Sequence, residues 1–209
     1  MGKKIKIYGT LLFFSLMTLN FISCSTDDGE IIVDEPVALS QEEVDMLIQM
    51  REEEKLARDV YDYLYSRYAL NVFDNISNSE QMHMDRVLGL LNQYNIPDPA
   101  LPNPGEFSSQ TLQDLYDQLT SEGDIALINA LKVGATVEDL DIFDLEDFSS
   151  KTQNQDILDV FSNLTCGSRN HLRGFYNQIL NEGDDYSPQF ISQTEFDDIV
   201  NSSHEQCNN

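Results

Sequence analysis

The chain has 209 residues, 41% of them hydrophobic, and sets 37 acidic side chains against 12 basic ones for a net charge of −25. That length supports one domain with a sizeable core, and so acidic a surface argues against nucleic acid and anionic headgroups as partners. No Gly-rich phosphate loop, G-x-S-x-G or C-x-x-C occurs, so P-loop, nucleophilic-hydrolase and thioredoxin-type or zinc-ribbon readings have no residues to stand on.

The first residues read as an export signal. Lys3, Lys4 and Lys6 form a basic start, Leu11 to Ile22 an apolar run, and Ser23 precedes Cys24, the anatomy of a bacterial lipoprotein signal. The apolar run is short for a spanning helix. The expected organisation is a signal over 1–23, lipidation of Cys24, an acidic flexible tether over 24–38 containing Pro36, and a helical domain over 39–209. An uncleaved anchor or a plain secretory signal is the alternative, and either still exports the domain. Asp27 and Asp28 resemble the acidic tag of outer-membrane lipoproteins, so the expected location is the bacterial envelope, lipid-anchored at the outer membrane. Losing residues 1–23, with three lysines and no acids, would take the charge from −25 to −28. The acidity serves solubility and also raises the local concentration of divalent cations.

Ser40 and Glu43 form a capping box that predicts a first helix to about Tyr68. Along it Leu47, Met50, Glu54, Ala57, Tyr61 and Leu64 step by three and four, placing Glu54 on a seam that should be core. Glu53 competes for that position, but with Leu47 at 0° helical phase puts Glu54 about 20° away and Glu53 roughly 120° away. Residues 70–75 turn the chain into a second helix, about 75–95, whose seam is Phe73, Ile76, Glu80, His83, Val87, Leu90 and Tyr94. Prolines 97, 99, 102 and 104 then forbid a helix, and a short helical segment follows at about 109–121. The third long helix, about 124–147, carries Ile128, Leu131, Ala135, Glu138, Ile142 and Leu145, with Asp141 one turn beyond Glu138. The fourth, about 154–180, carries Ile157, Phe161, Leu164, Ser168, His171, Phe175 and Ile179. Ser192 and Glu195 cap a last short helix near 193–201. Cys166 and Cys207 remain to pair as a disulfide in an oxidising compartment, tying the tail to the fourth helix; His204 falls in the polar tail.

Four seams thus each carry a ligand-type residue near their middle, and burying an unpartnered carboxylate costs several kcal/mol. A carboxylate on one helix and Glu-x-x-His on the next, twice over, is the plan of di-metal carboxylate bundles. On these residues the chain resembles the ferritin-like superfamily. More narrowly, REEEKLARDVYDYLY (51–65), FDNISNSEQMHMDRV (73–87), ALKVGATVEDLDIFDL (130–145) and GSRNHLRGF (167–175) are similar to the prokaryotic ferritin-like family DUF2202. The resemblance implies an all-α, antiparallel four-helix bundle, with one long crossover holding an extra short helix and with a short C-terminal helix.

The implied ligand set is Glu54, Glu80, His83, Glu138, Asp141 and His171, with Glu80 and Glu138 as bridges and one imidazole terminal on each metal. Two divalent cations would balance four carboxylates. Oxygen-rich ligands with some nitrogen suit iron or manganese, with zinc as an alternative. Ser168 stands where the superfamily has a glutamate, and Glu138-x-x-Asp141 resembles the rubrerythrin branch's extra carboxylate, so Asp141 is the expected substitute. Tyr61 reads either as a core tyrosine or as a redox-active one. Arg169 and Arg173 pair with acids, around the centre or on the surface.

Two functions follow from the resemblance. One is a di-iron oxidoreductase or ferroxidase using peroxide or O₂, its electrons drawn from a separate donor or from Fe²⁺ itself. The other is a non-enzymatic lipoprotein bundle that binds metal or another ligand. A metal-free interaction bundle is the bland reading of the same seams. The tether favours a small homo-oligomer over a closed cage.

Overall fold

The computed structural model describes residues 38–207; the signal over 1–23, Cys24 and the tether up to residue 37 lie outside the described residues. Among these it is all-helical: α1 Gln41–Tyr68, α2 Asn71–Gln93, α3 Gln110–Gly123, α4 Leu127–Lys151, α5 Gln155–Asn181 and α6 Gln193–Asn201. The capping box opens α1, with Glu43 N donating to Ser40 Oγ at 3.2 Å and Ser40 N to Glu43 Oε2 at 2.8 Å. Asn154 and Ser192 cap α5 and α6 through their side chains.

Two expected boundaries shift. The turn into α2 is not residues 70–75 but Ala69 and Leu70 alone, because Ala69 takes a left-handed conformation at φ 50° and reverses the chain in one residue. Phe73 then enters the core, fully buried, from the first turn of α2. α4 likewise begins at Leu127 and runs to Lys151, one turn later than the sequence pattern suggested.

Four long helices make the bundle. α1 packs on α2 and α4 on α5, and the two hairpins meet through α1 with α4 and α2 with α5. The core falls into two apolar clusters: Val60, Leu64, Phe73, Leu131, Phe175 and Ile179 in one, Leu47, Met50, Val87, Leu91, Leu145 and Phe161 in the other. Chain direction follows from them. α1 and α5 run from the second cluster to the first, and α2 and α4 from the first to the second. Since α2 and α4 point the same way, the link between them must return along the length of the bundle. Residues 94–126 do this, and α3 within the link packs on α1 and α4.

The outer face of α1 holds that link down. Arg51 makes paired bonds to Asp98 at 3.0 and 2.9 Å, Glu52 Oε1 accepts from Ser108 N at 2.8 Å, and Lys55 Nζ donates to Asn103 O at 3.0 Å. Asp59 accepts from Gly105 N at 2.9 Å and pairs with Lys55, which also sits 4.4 Å from the Phe107 ring centre. With Glu54 and Ala57 facing the bundle interior, every residue from Arg51 to Ala57 is buried. Asp139 does the equivalent for α4, fully buried and accepting from Tyr186 OH and from the backbone N–H of Gln189, Phe190 and Ile191.

Cys166 and Cys207 are disulfide-bonded. Arg169 and Arg173 both pair with Glu205, at 2.5 and 2.6 Å, and, Arg169 first, hold its carboxyl down at about 2. The two arginines therefore anchor the tail and do not reach the polar centre. His204 is exposed.

Candidate metal centre

Between the two apolar clusters lies a polar layer. Helical phase brings Glu54 of α1, Glu80 and His83 of α2, Glu138 and Asp141 of α4 and His171 of α5 to this level, each no more than 9% exposed. Among the described residues, two triads have potential ligand atoms within 4.8 Å of one another: Glu54, Glu80 and His83, and Glu80, Glu138 and His171. Glu80 belongs to both.

Both imidazoles turn Nδ1 toward the carboxylates. His83 Nδ1 lies 2.8 Å from Glu80 Oε2 and 3.2 Å from Glu54 Oε2, and His171 Nδ1 lies 2.7 Å from Glu80 Oε1 and 3.4 Å from Glu138 Oε2. The rings stack with centres 5.4 Å apart. Outer groups set their orientation. His171 Nε2 bonds Ser79 Oγ at 2.9 Å, and Tyr61 OH donates to Glu138 Oε1 at 2.5 Å.

His83 Nε2 faces the backbone of α5. A Cβ on Gly167 would lie 2.5 Å from that nitrogen and 2.6 Å from Cε1, so only glycine lets the ring stand where it does. Gly167→Ala is expected to push His83 aside and weaken cation binding at the Glu54–Glu80–His83 triad about 10–100-fold, as loss of ligand support does elsewhere. Co²⁺ titration checks it, and unchanged affinity would refute the role given to Gly167. Thermal unfolding of the same variant separates a fold-wide loss, about 1–3 kcal/mol where a core is overpacked, from this effect.

The donor set fits cations. Among the described residues, Glu54 Oε1, Glu80 Oε1 and His171 Nδ1 are buried without an aligned hydrogen bond, although the last two are only 2.7 Å apart, and each belongs to a residue of one triad or both. Burial pushes Glu54 well above the usual carboxylate range against the pull of His83, and burial with the charge of Glu80 raises Glu138 to about 7. For Glu80 burial is outweighed by His171 and His83, which hold it below the usual range. Burial is likewise outweighed at the imidazoles: Glu54 and Glu80 raise His83 well above its usual value, and Glu80 and Glu138 raise His171 to about 9. Protein groups alone thus balance the layer only by holding protons where divalent cations would otherwise stand.

Asp141 stands apart from both triads. Its Oδ2 accepts from Ser168 Oγ at 2.5 Å, and burial, reinforced by Glu54, Glu138 and Glu80, pushes it well above the usual carboxylate range. Ser168 therefore supports a neighbouring acid. Glu138 joins only the second triad, which leaves Glu80 as the shared carboxylate. Of the two readings of Tyr61, neither is complete: it is a fully buried core residue whose hydroxyl touches a candidate ligand. Ser79 and Gly167 were missed by sequence reasoning. Ser79 lies off the α2 seam and gave no signal; Gly167 could have been noticed as a glycine inside a helix, where it costs stability unless something needs the space.

With this geometry in view, the comparisons are specific. Residues 43–203 match the model of an uncharacterized protein domain, DUF2202. The chain belongs to the DUF2202 family. It is 52% identical over 169 residues to the uncharacterized protein MJ0754 of Methanocaldococcus jannaschii, covering 80% of this chain and 91% of that one. The crystal structure of that protein, titled a hypothetical protein, superposes with a TM-score of 0.79 over 80% of this chain and 96% of the other. The bundle that carries this layer is thus shared with a relative at 52% identity.

Proposed function

We propose that this DUF2202 protein is a ferritin-like bundle that holds two divalent cations, iron by the chemistry of its donors, and acts as an oxidoreductase or ferroxidase toward peroxide or O₂. One observation carries the reading: the Glu80 carboxylate lies between two imidazoles, with one oxygen 2.8 Å from His83 and the other 2.7 Å from His171. Glu54, Glu80 and His83 would hold one ion and Glu80, Glu138 and His171 the other, with manganese or zinc as less redox-suited occupants. Iron bound there would supply reversible electron transfer to peroxide or O₂. Tyr61 fixes Glu138 and keeps a proton on its phenol, because burial and Glu138 push that hydroxyl well above its usual range. Ser79 orients His171, and the apolar clusters on either side exclude water.

The second reading, a metal-holding bundle without turnover, is favoured by Ser168, which occupies a superfamily ligand position and uses its hydroxyl on Asp141. The lipid-anchored envelope location belongs to the same proposal; the Cys166–Cys207 bond suits an oxidising compartment. Electrons would come from Fe²⁺ or a separate donor, since no C-x-x-C pair is present. The test is anaerobic loading with Fe²⁺ followed by peroxide. About two irons per chain, oxidised stoichiometrically with a new near-ultraviolet band, support the oxidoreductase; one inert ion supports the second reading, and none defeats both.

A further inference from the structure

A groove bounded by α1, α3 and α4 forms a cavity of about 450 Å³ with Leu112, Leu115 and Leu140 among its walls and Asp45, Glu52 and Glu53 as its charged groups. Among the described residues, no lysine or arginine lines it. Two other surface cavities differ, one carrying Arg86 and Arg169 and the other Arg169 and Arg173. Asp45 accepts from Gln41 at 2.8 Å, and Glu52 accepts from Ser108 N at 2.8 Å. Glu53 is 9% exposed; its Oε1 accepts from Gln49 at 2.8 Å, but its buried Oε2 has no hydrogen-bond partner.

Glu53 precedes the candidate ligand Glu54 and sits about 100° around α1 from it, on the side that faces α4. Across the groove, Leu140 of α4 immediately precedes Asp141, which is buried at the level of Glu54 and Glu138, and half-buried Asp144 follows one turn after Leu140. An uncompensated carboxylate at a low-dielectric wall is costly, and apolar walls around one sign of charge focus the field on a cation. The side of α5 is less suited to a cation: its cavity, about 580 Å³ and lined by Cys166 and Cys207, carries Arg86 and Arg169, and α5 presses Gly167 against His83 there.

We propose that this groove is the access route for divalent cations to the buried carboxylates, with Glu53 Oε2 as the transient ligand between the groove and the Asp141–Glu54 level. The inference rests on the two-cation reading. Its test is stopped-flow uptake of Co²⁺ by the full chain, followed by the visible band of the bound ion, in the parent, in Glu53→Gln, and in Leu115→Trp, which narrows the groove without altering an acid. Both variants are expected to load roughly tenfold or more slowly and to reach the parental number of ions. Loading at the parental rate in both would overturn the route while leaving the two-cation reading intact. Fewer ions at equilibrium in Glu53→Gln would also overturn it, by making Glu53 a resident ligand. A parent chain that takes up no Co²⁺ would instead remove the reading beneath it.

Discussion

Glu80→Gln is expected to abolish loading of both cations with one substitution. Glutamine keeps the volume and one carbonyl acceptor but removes the charge and presents an N–H₂ to one imidazole. Because Glu80 alone belongs to both triads, its loss differs in kind from that of its neighbours. Glu54→Gln and Glu138→Gln should each weaken one ion and leave the other. Metal per chain measures the first effect, and thermal unfolding with excess cation measures it again: a ligand at 100 times its Kd adds about 2.7 kcal/mol per site, and Glu80→Gln should lose that increment while still folding. Two ions retained in Glu80→Gln would refute the shared-carboxylate arrangement.

Asp59→Asn is expected to destabilise the protein by about 3–5 kcal/mol, the usual consequence of stranding one member of a buried ion pair. Lys55 is 1% exposed and Asp59 2%, and Asp59 also accepts from Arg58 and from Gly105 N. Adding Lys55→Met should recover most of the loss, since the fully buried cation is then gone, Arg58 keeps its bond to Gln81 and a side chain 19% exposed to water, and asparagine still accepts from Gly105. Urea unfolding of the single and double variants checks this. A double variant as unstable as the single one would show that the hydrogen bonds to the crossover, and not the charge, carry the stability.

The fold was largely legible because its seams are long and regular. Leu47, Met50, Tyr61 and Leu64 on α1, and Ile157, Phe161, Leu164, Phe175 and Ile179 on α5, are all fully buried as their spacing requires. Glu54 over Glu53 was decided by phase alone, and the structure places Glu54 in the polar layer and Glu53 on the groove. The α1–α2 turn was misjudged because a left-handed alanine carries no composition signal of the kind glycine would. Buried Arg51, Glu52, Lys55, Asp59 and Asp139 were equally invisible, since a charge that will pin a distant loop reads locally as a solvated face.

Periodicity within single helices is a local property, so the sequence by itself determined the helices, their buried faces and the acids and histidines those faces carry. Which of these meet is a matter of helix rotation and axial register between segments up to about a hundred residues apart, set by the two apolar clusters. Only the tertiary structure could therefore make Glu80 the shared carboxylate, seat His83 against Gly167, turn Ser168 toward Asp141 and leave one oxygen of Glu53 unpartnered beside the groove.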